Sequence, residues 1–206
     1  MTSPVHHAVL LACTLAVAPL VNAQEAASDP TAAMSPEQQA MMAAWEKASR
    51  PGPEHARLAE HFVGRWDARQ TLWMAPDAPP MTATGQAQTT AEFGGRQMRM
   101  AYAGEMMGAP FEGASHTGYD NVSGVYTSVW MDNMSTGTYT MTGRYDAASR
   151  TYTFTGEWPD PMAAGKMLPV RETLRIVDAD HHVMDMYETH GGEERHTMRI
   201  EFSRAE

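Results

Sequence analysis

The chain has 206 residues, 43% hydrophobic and 19% charged, with 15 Lys and Arg against 25 Asp and Glu for a formal net charge of -10. That length suits one domain with an appendage, and so apolar a composition excludes a disordered chain. An acidic balance without a basic cluster argues against nucleic acid, whose phosphates need Lys and Arg, and against docking on an anionic membrane.

Residues 1–23 read as a signal peptide. Ala8 to Val21 is an uncharged apolar run that ends in Val21-Asn22-Ala23, an A-x-A-like cleavage site before Gln24. The run is too short to span ~30 Å of hydrocarbon comfortably, but suits a signal-peptide core. Its n-region departs from the pattern in carrying His6 and His7 in place of Lys or Arg. The sole cysteine, Cys13, lies here; Leu10-Leu11-Ala12-Cys13 is similar to a lipobox, yet the apolar run continues past it. Cleavage after Ala23 leaves a mature chain with no thiol, hence no disulfide, thiolate metal site or Cys nucleophile. The expected location is the periplasm or the exterior.

Residues 24–35, rich in Ala, Ser, Pro and Asp, read as a flexible tether. Ser35-Pro36-Glu37-Gln38 opens a helix over 36–49, with Ser as N-cap, Pro at the first helical position and Gln three residues after the cap. Met41, Met42, Trp45 and Ala48 are spaced for one apolar face, and Arg50-Pro51-Gly52-Pro53 stops the helix. A second short helix, 54–62, offers Leu58 and Phe62 at a four-residue spacing.

From Val63 to Arg204 alternation replaces helical spacing. Strands are expected at 63–74, 82–92, 95–103, 114–120, 124–132, 137–145, 150–157, 169–177, 181–189 and 194–203. His196, Met198, Ile200 and Phe202 share one face of the last. Tyr119-Asp120, five residues and Tyr126-Thr127 recur as Tyr145-Asp146, five residues and Tyr152-Thr153. In each copy the Asp opens a tight turn by accepting from backbone groups two residues on. Asp178-Ala179-Asp180 and Gly191-Gly192 mark further hairpins. The expected fold is all-β: an antiparallel up-and-down, lipocalin-like barrel of about ten strands, closed because closure removes exposed edges.

Several pieces carry a resemblance to a known family. They are Pro53-Glu54-His55 with Val63-Gly64-Arg65-Trp66, Trp73 with Pro76 and Pro79-Pro80, Gly94-Gly95-Arg96, and the run from Met107 to Gly113. Gly118-Tyr119-Asp120-Asn121 and Trp130 to Gly137 follow, and Met198 and Arg204 fit the closing strand. Between His55 and Arg204 the chain resembles the bacterial domain-of-unknown-function 1579 family, which implies no activity, substrate or catalytic residue. Gly64-x-Trp66 after a short helix also resembles the opening of lipocalin-like barrels, in which the Trp plugs the closed end.

Methionine is the oddest component, at 18 residues. Met98, Met100, Met141, Met184, Met186 and Met198 fall on apolar strand faces, with Tyr102, Tyr126, Trp130 and Tyr139 similarly placed. Thioether chains are flexible and polarizable, so they suit a cavity for varied apolar ligands; equally, they fill a core in place of Leu. The expected ligand-facing set is Trp66, Met98, Met100, Phe111, Tyr126, Trp130, Asp132, Met141, Met186 and Met198. Gly104–Ser115, apolar yet full of turn residues, is expected to fold over the barrel mouth as a lid or to pack on the helices.

Glu112, Asp120, Asp132, Glu157, Glu172 and Glu188 are carboxylate candidates for the mouth or interior. Asp132 either points inward towards Arg171 or another Arg, or serves a loop before Asn133. Glu188-x-His190 with His196 suggests metal ligands, but a Gly191-Gly192 turn sets Glu188 opposite Arg195 as a cross-strand ion pair. No metal is therefore expected. His181-His182 is expected in a solvated turn. Without a Gly-x-Ser-x-Gly or a helix-opening phosphate loop, no cofactor is implied.

Three readings follow. The first is an exported barrel binding a small apolar or amphipathic molecule. The second is an enzyme in the same cavity with Asp132, Glu112 or His116 as acid–base groups. The third is a cell-envelope protein with a filled core that docks a partner through helix 36–49. No nucleic-acid partner and no membrane span after signal cleavage are expected.

Overall fold

The structure is a computed structural model that describes residues 34–75 and 77–206. The signal peptide, Cys13 and nearly all of the tether lie outside the described residues. Two helices, α1 (Pro36–Ser49) and α2 (Pro53–Phe62), precede ten strands. These are β1 (Gly64–Leu72), β2 (Met81–Glu92), β3 (Gln97–Met106), β4 (Ala109–Asp120), β5 (Val125–Asp132), β6 (Tyr139–Asp146), β7 (Thr151–Pro159), β8 (Met167–Ile176), β9 (His181–His190) and β10 (Glu193–Arg204). Every strand pairs antiparallel with its sequence neighbours, and β1 pairs with β10, so the sheet is a closed up-and-down barrel. Among the described residues no helix is long and apolar enough to cross a membrane.

α1 begins as its sequence dictates. The Gln38 N–H donates to Ser35 Oγ (3.2 Å) while the Ser35 N–H donates to Gln38 Oε1 (2.8 Å), a reciprocal capping box. The chain divides after Gln39 into two units, and the second, Ala40–Glu206, carries the barrel. Within it, the last carbonyls of α1 are held by side chains. Asn121 Nδ2 donates to Ala48 O and Arg50 O, and Arg96 Nε donates to Ser49 O. The face formed by Met41, Met42 and Trp45 is exposed, Trp45 to 67%.

Closure is sealed by one cation and one ring. Trp66 on β1 stands opposite Arg204 on β10, whose guanidinium lies 4.2 Å above the indole. Arg204 also donates to Asp180 Oδ1 (3.0 Å), Ala179 O (2.9 Å) and Val63 O (3.2 Å). Trp66 Nε1 donates to Phe62 O at 2.8 Å, which fastens α2 to the barrel. Gly64 has φ +140°, and a Cβ there would collide with the Arg204 guanidinium; this close approach requires glycine.

α2 plugs one end. Leu58, fully buried, and Phe62 face a floor of tyrosines, with Arg57 Nη1 donating to Tyr126 Oη (3.0 Å) and His61 Nδ1 meeting Tyr152 Oη (2.9 Å). The repeated Tyr-Asp segments build that floor. Tyr119 pairs with Tyr126 and Tyr145 with Tyr152, with ring centroids 4.9 and 4.5 Å apart. Each Asp closes its turn as expected, Asp120 on the Val122 N–H (2.8 Å) and Asp146 on the Ala148 N–H (3.0 Å).

The expected lid is instead a hairpin. β3 runs on to Met106 and β4 starts at Ala109, joined by Met107-Gly108, both at positive φ. Two central residues at positive φ make the tight turn whose twist matches the flanking strands, so this apolar segment pairs as sheet instead of folding across the mouth. Leu58→Ala is expected to cost about 2–5 kcal/mol by opening a cavity beneath α2, whereas Trp45→Ala should stay within about 0.5 kcal/mol. Urea unfolding followed by circular dichroism reads both.

Candidate functional site

Between the α2 plug and the opposite rim the interior is hollow. The cavity encloses about 1070 Å³ and opens at the rim made by the ends of β1, β3, β5, β7 and β9. Ligand sites usually run to about 300–1,000 Å³, so this is ample space for a small molecule. Period-two alternation puts side chains from most strands at successive depths, while β2 contributes only Thr89 and β7 only Trp158 and Pro159.

Of the residues expected to face a ligand, Trp66, Met98, Met100, Phe111, Trp130, Asp132, Met141, Met186 and Met198 line this cavity. Tyr126 does not. It lies on the same strand face as Trp130 but one floor lower, beneath α2, where Arg57 takes its hydroxyl. Phe111, expected on a lid, is a buried wall residue stacked near Trp130 with centroids 6.3 Å apart. Trp130 lies flat over Gly113, where any Cβ would overlap the indole.

Asp132 engages no arginine. It accepts from Trp130 Nε1 (2.8 Å) and from the backbone N–H groups of Met134 and Ser135 (both 3.0 Å). It thus orients the indole and closes the turn at once. Glu112 and His116 lie on the outer face of β4, alternating with the inward Phe111, Gly113 and Ser115. His116 meets Glu92 there at 3.3 Å. The three proposed acid–base groups are therefore not brought together.

At the rim, Glu188 and Arg195 are in register as expected, but the ion pair is absent. Glu188 Oε2 bonds His190 Nε2 at 2.9 Å, and Arg195 turns to Glu193 at 3.5 Å. A bulge between His196 and Met198 moves His196 off the face of Met198 and onto that of Tyr187 and Asp185. There His196 Nε2 meets Asp185 Oδ1 at 2.7 Å. Burial works against the Asp185 charge, but Arg199 and His196 outweigh it and hold the carboxyl below its usual range.

His182 corrects its expectation most sharply. The turn ends before it, so it is buried inside, stacked on Phe202 (4.5 Å) and edge-on to Trp66 (4.4 Å). Desolvation, then the positive charge of Arg204, push its pKa down to about 3, so the ring is neutral. Glu172, midway along β8, lines the cavity and is partly buried. Burial alone lifts its pKa to about 7; no cation or hydrogen-bond donor stands near enough to offset it.

Other polar groups in the wall also lack partners. Gln70 is 1% exposed and its Nε2 donates to Met198 Sδ (3.0 Å), leaving Oε1 free. Tyr102 Oη, Ser135 Oγ, Trp158 Nε1 and His182 Nδ1 are likewise buried without a protein partner, and all five residues line the cavity. Buried polar atoms are rarely left unpaired, so their concentration around one cavity sets this wall apart from an ordinary core. Strand parity from Trp66 through Ala68 to Gln70 was the signal that could have found Gln70.

Known proteins agree with this architecture. A family model described as "Protein of unknown function (DUF1579)" matches residues 50–204. The chain belongs to this family. The crystal structure of Rv2717c from M. tuberculosis is similar in fold, with a TM-score of 0.57 and 15% sequence identity. The match covers 76% of this chain and all of that one. No curated protein matches.

His182 and Glu172 pull acid stability in opposite directions. Between pH 6.5 and 3 the unfolded chain binds a proton that folded His182 refuses, so stability falls as pH drops. Between pH 4.5 and 7 folded Glu172 keeps a proton that the unfolded chain releases, so stability falls as pH rises. The Glu172→Gln protein should then lose roughly 2 kcal/mol from pH 7 to 4.5, with His61, also lowered by burial, acting in the same direction. The His182→Phe protein should gain stability over that range, as read by urea midpoints at the two pH values.

Proposed function

We propose that the protein is an exported binding protein that shelters a small amphipathic molecule inside its barrel. The observation that carries this reading is the hollow interior. Its wall is mostly Met and aromatic, and it holds unpaired buried polar atoms. Thioethers adapt to irregular apolar shapes, and the polar atoms fix orientation. A core filled by its own side chains, as the partner-docking reading needs, would leave no such volume. For catalysis, Glu172 supplies a single proton site, with no second titratable group bonded to it. That favours binding over acid–base chemistry.

Nile red, a neutral apolar dye, should brighten on the purified protein and be displaced by an interior-filling change. Met186→Trp places an indole in the cavity and is expected to weaken dye binding at least about tenfold while the protein stays folded. Unchanged dye binding in that variant overturns the reading. Export is supported by the apolar run and Val21-Asn22-Ala23. Intact-mass measurement of the protein from a bacterial envelope fraction should give a chain starting at Gln24. A full-length mass from the cytoplasm alone would refute export.

A further inference from the structure

Glu172 is an acceptor without a partner at mid-height. Cross-strand pairing runs from Glu172 to Met186, to Met198 and on to Leu72, so these four form one row across β8, β9, β10 and β1. Gln70 stands one inward step from Leu72 on β1, its Nε2 consumed by Met198 of that row. Its Oε1 is thereby left as an unpaired acceptor buried within the wall itself. The unpaired atom that can only donate, Trp158 Nε1, belongs to the far end of β7 near the rim. Tyr102 Oη on β3, Ser135 Oγ beyond β5 and His182 Nδ1 at the start of β9 can donate or accept, so Glu172 is the one carboxylate set midway up this apolar, sulfur-lined wall.

The entrance has the same sign. Asp132, Asp160, Glu188 and Glu193 stand on the lining near the rim against one guanidinium, Arg195, which leans on Glu193. His190 is held by Glu188, and His182, deeper, stays neutral. Acidic rims over low-dielectric walls draw cations inward, as does the net charge of -10.

We infer that the barrel takes a protonated aliphatic or arylalkyl amine, with its ammonium on Glu172 and its apolar body along the methionine wall. An ammonium carries donors and no acceptor, the complement of a carboxylate, and it would neutralise one that otherwise sits alone in apolar surroundings. The inference rests on the cavity-binding reading and adds the class of head group.

Three ligands of one chain length separate the two: decylamine, decanol and decanoic acid, each displacing Nile red from wild type and Glu172→Gln at pH 8. Decylamine should bind at least about tenfold tighter than decanol to wild type, and this margin should vanish in Glu172→Gln, whose circular dichroism certifies that the variant is folded. Below pH 7 the margin should shrink by up to about tenfold per pH unit as Glu172 takes up its proton. Equal binding of amine and alcohol, or tightest binding of the acid, overturns the amine assignment and leaves the cavity reading standing. Failure of all three to displace the dye overturns both.

Discussion

The first and last strands must find each other for this chain to have an inside at all. The β1–β10 ladder joins residues more than a hundred positions apart, and Trp66 beneath Arg204 marks where it locks. The indole is buried among Phe62, His182 and Phe202, while the guanidinium on its face keeps about a third of its surface open to water. The same guanidinium gathers the β8–β9 turn through Asp180 and Ala179 and the helix exit through Val63. One side chain therefore couples closure, the α2 plug and a hairpin, and glycine at position 64 is what lets it approach.

From that lock the interior divides into a dense floor and an empty upper storey. The floor is aromatic and hydrogen-bonded to α2, so it is both packed and polar-satisfied. Above it the wall keeps its apolar character but leaves acceptors and donors unpaired. Natural cores seldom tolerate that combination, because each unmet group costs about 1–3 kcal/mol. Stability yields here to open space inside the barrel, beside a floor that is packed solid.

Most of the architecture was legible in the sequence because alternation and turn chemistry are local signals. The ten strands, the capping box at Ser35 and the Asp120 and Asp146 turns follow from residues within a few positions of one another. Errors arose where a local rule was met by an unusual residue. Met107-Gly108 makes a turn usually written Asn-Gly, so a hairpin looked like a lid. A bulge beyond His196 broke the parity that had seemed to align it with Met198. Depth was the harder matter. Parity places Tyr126 and Trp130 on one face, but only tertiary packing of α2 tells floor from chamber. Likewise Glu172 is one carboxylate among six in sequence, and its isolation depends on what nine other strands fail to bring near it.

The methionine wall carries a chemical liability of its own. Met98, Met100, Met141, Met184, Met186 and Met198 all border the same open chamber, so a small oxidant that enters from the rim meets several sulfurs in turn. Each sulfoxide formed would plant a polar, chiral oxygen in what had been greasy surface. An oxidised barrel would thus keep its outline while presenting guests with an altered solvent. Were the proposed ligand bound, it would act as armour, shielding the lining from attack.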